Sequence, residues 1–447
     1  MKNRPNILLI LTDQQSATMM SCAGNEYLQT PAMDSLAASG VRFERAYCTN
    51  PVCVPSRFSL MTGLMPSAIA LRCNDTSHIE EIPASVRTQG IGWLFRDAGY
   101  DVAYGGKGHL PQMGPEDIGF DHITKDERDD LPFVCSRYIK QSRQRPFFLV
   151  ASFINPHDIC YMEVRDFAET DVEKRCVERG EVGLATLDEA LRLPESTSRD
   201  DFFKHYCPPL PSNFEPQQAE PEALHTMMPQ WPCRMKGRER WTEERWRLYR
   251  WAYCKLTEMV DTQIARICDA VHGSGKEEDT VVVFSSDHGD MDSSHRLVSK
   301  TVFYEEATRV PFIVCQPGVT PGGTVNTSHL VSNGLDLIPT LCDYAGIESP
   351  AGLEGMSLRP LAEGHHLESR RSFIPVENEC GRMIVTSRYK YMLHDSGENR
   401  EQLIDLQEDP GEMRNAVNDS LHVEALREHR RIFHNYFGSE HADEPGQ

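Results

Sequence analysis

Short apolar runs alternate with amphipathic segments over most of the chain. The apolar runs, each bounded by polar residues, lie at residues 6–12, 100–106, 145–153, 280–286 and 310–316. Such runs are typical of strands buried on both faces of a parallel sheet. Segments with helical spacing or helix-boundary residues lie at residues 30–40, 91–99, 241–271 and 335–346. This βαβα order predicts an α/β fold, a large and mostly parallel sheet flanked by helices on both faces.

The pattern changes after about residue 365. Residues 366–447 contain short strand-like segments with polar turns and then a helical segment from about Ser420. We therefore expect a large α/β domain over residues 1–365 and a small C-terminal α+β subdomain with an antiparallel sheet and a terminal helix. Within the large domain, residues 158–240 are polar and rich in proline, which indicates a variable insertion over the edge or top of the sheet.

Composition and charge exclude some classes of protein. Hydrophobic residues make up 39% of the 447 residues, and the formal net charge is −21. Nucleic-acid binding depends on Lys and Arg, so this charge argues against a nucleic-acid partner. No stretch approaches the roughly 20 apolar residues that span a membrane. The apolar run at residues 7–11 is too short for a signal peptide, so we expect a cytoplasmic protein, or a periplasmic one if a signal has been removed.

One of the 14 cysteines differs from the others. No CxxC pair occurs, so a zinc ribbon or thioredoxin-type site has no support, and most cysteines resemble buried thiols of a reducing compartment. Cys53 precedes the segment PSRFSLMT, in which Pro55 suits the first helical position and Gly63 the residue past the end. A cysteine at the positive end of a helix is typical of a reactive thiol or an anion site.

Acidic residues follow two of the predicted strands. Asp13 and Gln14 come directly after the first strand, and Asp287 and His288 follow the strand at residues 280–286. Ligands of doubly wound sheets bind beyond the carboxyl ends of the strands, and oxygen-rich side chains there suit Ca²⁺ or Mg²⁺. The alternative is that Asp13 and Asp287 only cap the turns that follow.

Basic residues lie near the ends of other strands. They are Lys107 and His109 in GGKGHL, His157 in INPHD, and His295 and Lys300 in DSSHRLVSKTVFYEE. Each could be a solvated or structural residue, since a lone buried lysine is costly without an anionic partner. Several of them at the same end of one sheet favour an anion-binding site.

At this point the sequence resembles a known family. CVPSR, with TG five residues later, is similar to the C-x-P-S-R signature of the type I sulfatases, members of the alkaline-phosphatase superfamily. The similarity continues through PNILLILTDQQ, GGKGHL, SSDHGD, KTVFYEEATRVPFIV and LIDLQEDPGEMRN, in the order expected of the family. Only residues 158–240 match weakly.

The resemblance implies a modified residue and a metal. Cys53 would be oxidised to Cα-formylglycine by a separate maturation enzyme, and its hydrated aldehyde would attack sulfur. Asp13, Gln14, Asp287 and His288 would hold the metal, with the modified Cys53 as a further ligand. Ca²⁺ is the expected ion, with Mn²⁺ or Mg²⁺ as alternatives.

The resemblance also assigns the basic residues. Arg57 and Lys107 would hold the hydrated aldehyde, and His109 would contact its second hydroxyl to promote elimination. His157 and Lys300 would contact the sulfate, one of them assisting the departing alcohol, with His295 as a further substrate-binding residue.

The expected activity is hydrolysis of a sulfate ester, on a terminal sugar of a sulfated glycan. Asp-Gln and Asp-His pairs also occur in phosphonate monoester and phosphodiester hydrolases of the superfamily, which leaves that activity as one alternative. A non-catalytic protein that binds sulfated glycans is another. The segment 231–251 is dense in Arg and Trp; it could bind a sugar, or it could be a solvated helix face with core aromatics.

Overall fold

The computed structural model describes residues 4–79, 81–227, 231–367 and 371–438. The strands are β1 Asn6–Asp13, β2 Gly40–Phe43, β3 Ala46–Tyr47, β4 Asp101–Gly106, β5 Asp121–Thr124, β6 Phe147–Pro156, β7 Thr280–Ser286, β8 Phe312–Cys315, β9 Thr324–Asn326, β10 Val331–Ser332, β11 Ile374–Asn378, β12 Gly381–Val385, β13 Tyr389–His394 and β14 Glu401–Asp405.

The α-helices occupy most of the intervening chain. They are α1 Pro31–Ser39, α2 Cys53–Thr62, α3 Ala84–Thr88, α4 Ile91–Asp97, α5 Leu131–Lys140, α6 Tyr161–Phe167, α7 Asp171–Arg179, α8 Glu181–Ala190, α9 Arg199–His205, α10 Ala223–Met227, α11 Pro232–Arg240, α12 Glu243–Gly273, α13 Glu305–Thr308, α14 Asn333–Ala345, α15 Arg359–Ala362 and α16 Val423–Phe437. Among the described residues, none of these helices has the length and apolar character that crossing a membrane requires.

The large sheet has the order β5-β4-β6-β1-β7-β8-β2-β9. Neighbouring strands are parallel except at β8, which runs antiparallel to both β7 and β2. The predicted mostly parallel sheet is therefore confirmed. In this order β1 lies between β6 and β7, so the strands that end in Asp13 and Asp287 are direct neighbours.

Both faces of the sheet are covered. In β1, Ile7, Leu9 and Leu11 pack into one core cluster, and Leu8 and Ile10 pack into the other. Helices α4 and α14 supply side chains to the first cluster, and α1, α5 and α12 supply the second. Alternate side chains of a strand point to opposite faces, which explains why these runs are apolar at every position.

A second sheet lies at the C-terminal end, with the order β11-β12-β13-β14 and antiparallel pairing throughout. Leu426 and Phe433 of α16 pack against Tyr391 and Leu403 of this sheet. The predicted antiparallel sheet and terminal helix are confirmed. The sequence pattern missed β14, because its residues run directly into the turn-rich stretch that follows.

Helix α2 begins two residues earlier than predicted. Cys53 is its first residue, and the backbone N–H of Ser56 donates to the Val52 carbonyl (3.1 Å). Pro55 is thus third rather than first, which the helix tolerates because first-turn N–H groups have no intrahelical partner. Gly63 ends the helix as predicted, with a φ of 73° that favours glycine. The insertion at 158–240 forms helices α6–α11, which its polar composition did not indicate.

Candidate active site

The Cys53 side chain lies at the centre of a buried polar cluster. It is 1% exposed, its Sγ accepts a hydrogen bond from Lys300 Nζ (3.0 Å), and it lies 3.2 Å from His288 Nε2. Burial and Asp13 both raise the pKa of the thiol, but Lys300, Lys107 and His288 outweigh them and hold it well below its usual range. The cluster therefore stabilises negative charge at the position of Sγ.

Asp13 and Asp287 meet beside Cys53 because their strands are parallel neighbours. Thr12 of β1 pairs with Ser286 of β7, so the next residue of each strand leaves the same edge of the sheet. Both carboxylates are fully buried. The strand ends thus bring two acids together, as the sequence pattern predicts.

Arg57 joins these two carboxylates. Its Nη2 contacts Asp13 Oδ2 and its Nε contacts Asp287 Oδ2, both at 2.8 Å, and its side chain is 1% exposed. Nη1 donates to the Lys107 carbonyl (2.9 Å) and to Ser152 Oγ (2.8 Å). Arg57 is therefore a positioning residue for the two acids, a role that the sequence reasoning did not assign.

The two acids have different proton affinities. Burial raises the pKa of Asp13, but Lys107 and the other nearby cations hold it well below the usual value. Lys107 Nζ lies 2.7 Å from Asp13 Oδ2. Burial and then the Asp13 charge raise the pKa of Asp287 to about 6. Two like charges at short range separate the pKa values of a pair of acids, and a bound cation would favour the ionised form of both.

His288 presents one ring nitrogen to the centre. Its Nδ1 lies 2.9 Å from the Gly289 carbonyl, which can only accept, so Nδ1 carries the proton and Nε2 faces Cys53. Burial lowers the pKa of His288, but Asp287 and Cys53 outweigh that effect and raise it. The Nδ1 hydrogen bond fixes the ring in the orientation that a metal ligand needs.

Gln14 connects the acids to Lys300. Its backbone, in the left-handed region with φ 68°, donates to Asp287 Oδ1 (3.0 Å). Its side-chain oxygen accepts from Lys300 Nζ (2.7 Å), and its amide nitrogen donates to Asp290 Oδ2 (2.6 Å). Asp290 and this hydrogen bond were missed, although SSDHGD contains the residue.

The donor set fits a divalent cation. One ligand atom each of Asp13, Cys53, Asp287 and His288 lie within 4.8 Å of one another, and all four residues are buried. Two carboxylates with an adjacent amide oxygen are the ligands that Ca²⁺ and Mg²⁺ take in proteins. The imidazole also permits a transition-metal ion such as Mn²⁺.

His157 completes the cluster on the side of Cys53. It lies close enough to feel the charges of the cluster, and burial, Lys300 and Lys107 lower its pKa to about 4. His157 is therefore neutral at physiological pH. It lies directly after β6, as the sequence pattern predicts.

Two predicted site residues lie elsewhere. His109 is exposed on the loop after β4, with φ 46°. His295 is fully buried, and its ring stacks on Tyr304 with 4.0 Å between ring centroids. The structure thus brings Cys53, Arg57, Lys107, His157, Lys300, Asp13, Gln14, Asp287 and His288 together and leaves His109 and His295 outside the cluster.

Comparison with known proteins identifies the family of the chain. The family profile described as Sulfatase matches residues 5–347, and that of N-sulphoglucosamine sulphohydrolase, C-terminal, matches residues 293–434. The chain is similar to the Delta 4,5-hexuronate-2-O-sulfatase of Bacteroides thetaiotaomicron, with 31% identity covering 97% of this chain and 89% of that protein.

Solved structures give the same result. A 2-O GAG sulfatase superposes with a TM-score of 0.78 and 29% identity, covering 97% of this chain and 92% of the other. The phosphonate monoester hydrolase of Agrobacterium radiobacter has a TM-score of 0.73 at 20% identity, covering 98% and 96%, which shows a shared fold alone. The chain belongs to the sulfatase family of the alkaline-phosphatase-like superfamily, and it is a sulfuric ester hydrolase.

Proposed function

We propose that this sulfatase acts on a terminal sugar of a sulfated glycan, with a formylglycine at position 53 and a divalent cation beside it. The observation that carries the proposal is the environment of Cys53. Its Sγ lies at the first residue of α2, within 3.0 Å of Lys300 Nζ and 3.2 Å of His288 Nε2. A helix start and two flanking basic groups suit an oxygen nucleophile and an anionic sulfate.

The modified residue and the metal supply chemistry that a plain thiol lacks. Oxidation of Cys53 to formylglycine by a maturation enzyme would supply a hydrated aldehyde, which attacks sulfur through one hydroxyl and later releases sulfate as the aldehyde reforms. Asp13, Gln14, Asp287 and His288 would hold Ca²⁺, or Mn²⁺ or Mg²⁺ instead, and the bound ion would lower the pKa of a hydroxyl and polarise the sulfate.

The remaining residues act by charge and position. Sulfuryl transfer has a loose transition state with charge spread over the peripheral oxygens, so fixed cations lower its free energy. Lys300 and Lys107 are the ammonium groups closest to the reacting position, and burial lowers the pKa of both, but Cys53 and Asp13 outweigh that effect and raise it. Both lysines therefore remain charged and bind sulfate oxygens.

The departing alcohol oxygen needs a proton or a hydrogen bond. His157 is neutral at physiological pH because its pKa is about 4, whereas Lys300 keeps its protons. Lys300 is therefore the better donor to the leaving oxygen, and His157 orients the substrate. A role of His109 in elimination stays a prediction.

We propose a sulfated uronic acid as the terminal sugar. The proposal is supported by two similar proteins, which are a hexuronate-2-O-sulfatase and a 2-O GAG sulfatase. Both resemble this chain over 97% of its length.

The test combines mass spectrometry with a substrate panel. Protein purified from its native host should carry a formylglycine at position 53, and it should hydrolyse an aryl sulfate and sulfated sugars but not an aryl phosphonate. The Cys53→Ser variant is the matched control and should show no turnover. Unmodified Cys53 in active protein would overturn the nucleophile, and activity confined to phosphorus esters would overturn the substrate class.

A further inference from the structure

The Arg- and Trp-rich segment 231–251 is mostly structural. Trp241, Trp246 and Tyr249 pack into a core cluster. Arg245 pairs with Asp166, and Arg250 pairs with Asp292. Arg247 donates to backbone carbonyls, among them that of Pro208 (2.9 Å). The predicted core aromatics are confirmed, but the predicted solvated face is wrong for these three arginines, because each is bound within the chain.

Arg234 on α11 is the exception. Lys236 forms an ion pair with Glu169, Arg238 forms a bidentate pair with Glu220 (3.0 and 2.7 Å), and Arg240 is exposed. Arg234 is half-buried, has no ion pair among the described parts of the chain, and its Nε is buried without a hydrogen-bond partner. A desolvated guanidinium without a partner is costly, which favours a ligand at this position.

Arg234 lies beside the reacting centre. A narrow cleft is lined by Arg234 and Lys300, together with Leu224, Leu297, Val298, Thr301 and Val302. Lys300 Nζ is 3.0 Å from Cys53 Sγ. Arg234 and Lys300 therefore line one cleft, and an anion held by Arg234 would be a neighbour of a sulfate held by Lys300.

The helix that carries Arg234 is anchored at both ends. The backbone N–H of Cys233 donates to Glu173 Oε1 (2.9 Å), and the Arg238–Glu220 pair fixes the far end. The guanidinium of Arg234 lies 5.6 Å from the Trp231 ring centroid, a cation–π distance. A fixed helix presents the guanidinium with little conformational entropy left to lose on binding.

The acidic residue Glu163 lies near Arg234 without neutralising the positive charge of its guanidinium. Burial raises the pKa of Glu163 to about 8, and it raises the pKa of Glu379 as well, although Arg234 opposes both shifts. Glu163 Oε2 is buried and has no hydrogen-bond partner among the residues that the structure describes. At neutral pH Glu163 is mostly protonated, so it does not neutralise the guanidinium.

We infer that Arg234 determines substrate specificity by binding a second anionic group of the sulfated sugar, beside the sulfate ester held at Lys300. The group that Arg234 binds is an oxyanion, either the planar carboxylate of a uronic acid or a second, tetrahedral sulfate. Arginine donates two parallel hydrogen bonds to such groups. The inference deepens the proposed function and rests on it.

The test compares substrates that differ by one anion. We would measure kcat and KM for 2-O-sulfated glucuronate, 2-O-sulfated glucose, a disulfated glucose and 4-nitrophenyl sulfate. The variants are Arg234→Met, Arg234→Lys and, as a matched control on the same helix, Arg240→Met. Melting temperatures establish that each variant is folded.

Arg234→Met should lower kcat/KM for a dianionic sugar by about 10- to 100-fold, the range for a hydrogen bond to a charged group. Activity on 2-O-sulfated glucose and on the aryl sulfate should change by less than about 3-fold, and Arg240→Met should match the wild type. A loss confined to glucuronate identifies the carboxylate, and a loss confined to the disulfated sugar identifies the second sulfate. An equal loss on every substrate, or none on any, would overturn the inference.

Failure of the proposed function gives a different pattern. If the wild type hydrolyses only the aryl sulfate, the sugar substrate is wrong, and inhibition of that reaction then tests Arg234. Inhibition by glucuronate, but not by glucose, that disappears in Arg234→Met supports the inference. Equal inhibition of both proteins contradicts it.

Discussion

Two clusters of buried charge in this protein differ in the partners of their lysine. Around Lys390, which is 0% exposed, the ammonium contacts Glu412 Oε1 (2.9 Å), Glu305 Oε1 (2.9 Å) and the Phe303 carbonyl (2.8 Å). The charge of Lys390 is thus opposed by two carboxylates of the chain, Glu412 through a hydrogen bond and Glu305 through an ion pair. Lys300 instead contacts the side-chain oxygen of Gln14 and the sulfur of Cys53.

The difference separates a structural charge from a catalytic one. The Lys390 cluster joins β13 of the C-terminal sheet to α13 beside the large sheet, and its partners all belong to the chain. The cluster at Cys53 collects the charges of Lys107 and Lys300 around a single small anion position. Burial of charge is therefore weak evidence of function, and a buried lysine without an ion pair among the described residues, such as Lys300, is stronger.

The largest expected effect is on turnover in Cys53→Ser. A serine sulfate ester has no internal route of release, so we expect kcat to fall by roughly 10³-fold or more, with the melting temperature within about 2 °C of the wild type. Cys176→Ser, a half-buried cysteine on α7, is the control and should keep full activity. Normal multiple turnover in Cys53→Ser would contradict the assignment of the nucleophile.

The second-largest expected effect is that of removing a metal ligand. In wild-type protein, Ca²⁺ at 100-fold excess over its Kd should raise the free energy of unfolding by about 2.7 kcal/mol. Asp287→Asn keeps the shape of the side chain but removes its charge, so both this stabilisation and the activity should be lost. Calorimetry with and without a chelator measures the effect. A Ca²⁺-dependent increase of the same size in the variant would exclude Asp287 as a ligand.

Lys390→Met should destabilise the fold without changing the chemistry. Removing one partner of a buried ion pair costs about 3–5 kcal/mol. Here the substitution leaves Glu305 with Arg309 as its remaining cation, and it leaves Glu412 and the Phe303 carbonyl without their donor. Denaturant unfolding measures the loss, and kcat per folded molecule should stay within about 2-fold. The double variant Lys390→Met/Glu412→Gln should recover part of the stability. A selective loss of kcat in Lys390→Met would contradict the purely structural role.

The smallest effect is a pH dependence of stability. Burial raises the pKa of Glu412 to about 8, with Glu305 and Glu306 adding to the shift and Lys390 opposing it. A carboxyl group whose pKa is higher in the folded state than in the unfolded state makes its full contribution to stability at pH values below the unfolded-state pKa. That contribution is lost as the pH rises towards 8. The slope contributed by Glu412 is at most about 1.4 kcal/mol per pH unit.

Glu412→Gln removes this titration. Its free energy of unfolding should therefore fall less steeply between pH 5 and pH 8 than that of the wild type. Unfolding in urea at several pH values provides the measurement. Parallel curves for the two proteins would show that Glu412 is ionised in the fold throughout this range.

The sequence predicts the strands and the acids at their ends for one physical reason. Runs that are apolar at every position indicate buried parallel strands, and parallel strands direct their ends to a common edge. The strand pattern alone therefore predicts that Asp13, Asp287 and His157 lie close together. The modification of Cys53 is predicted only by the family motif, because hydrophobic periodicity carries no information about it.

Side-chain directions in the long loops could not be predicted. Several residues after β7 have positive φ although none is glycine: Asp292, Ser293, His295, Arg296, Ser299 and Thr301. No sequence periodicity describes such a path, so the burial of His295 against Tyr304 could not be predicted. The bridging role of Arg57 was missed because it depends on three elements that are far apart in the chain.

The position of β1 within the sheet has a consequence for motion. Because β6 and β7 flank it on both sides, the amides that precede Asp13 should exchange with solvent only through global unfolding. Helix α11 is held by the side chains of Glu173 and Glu220 rather than by strand pairing, so its amides should exchange sooner than those of β1. Hydrogen–deuterium exchange should thus be slow in β1 and faster in α11, the helix that carries Arg234. Substitutions in α11 could then change substrate preference during evolution without disturbing the reaction centre.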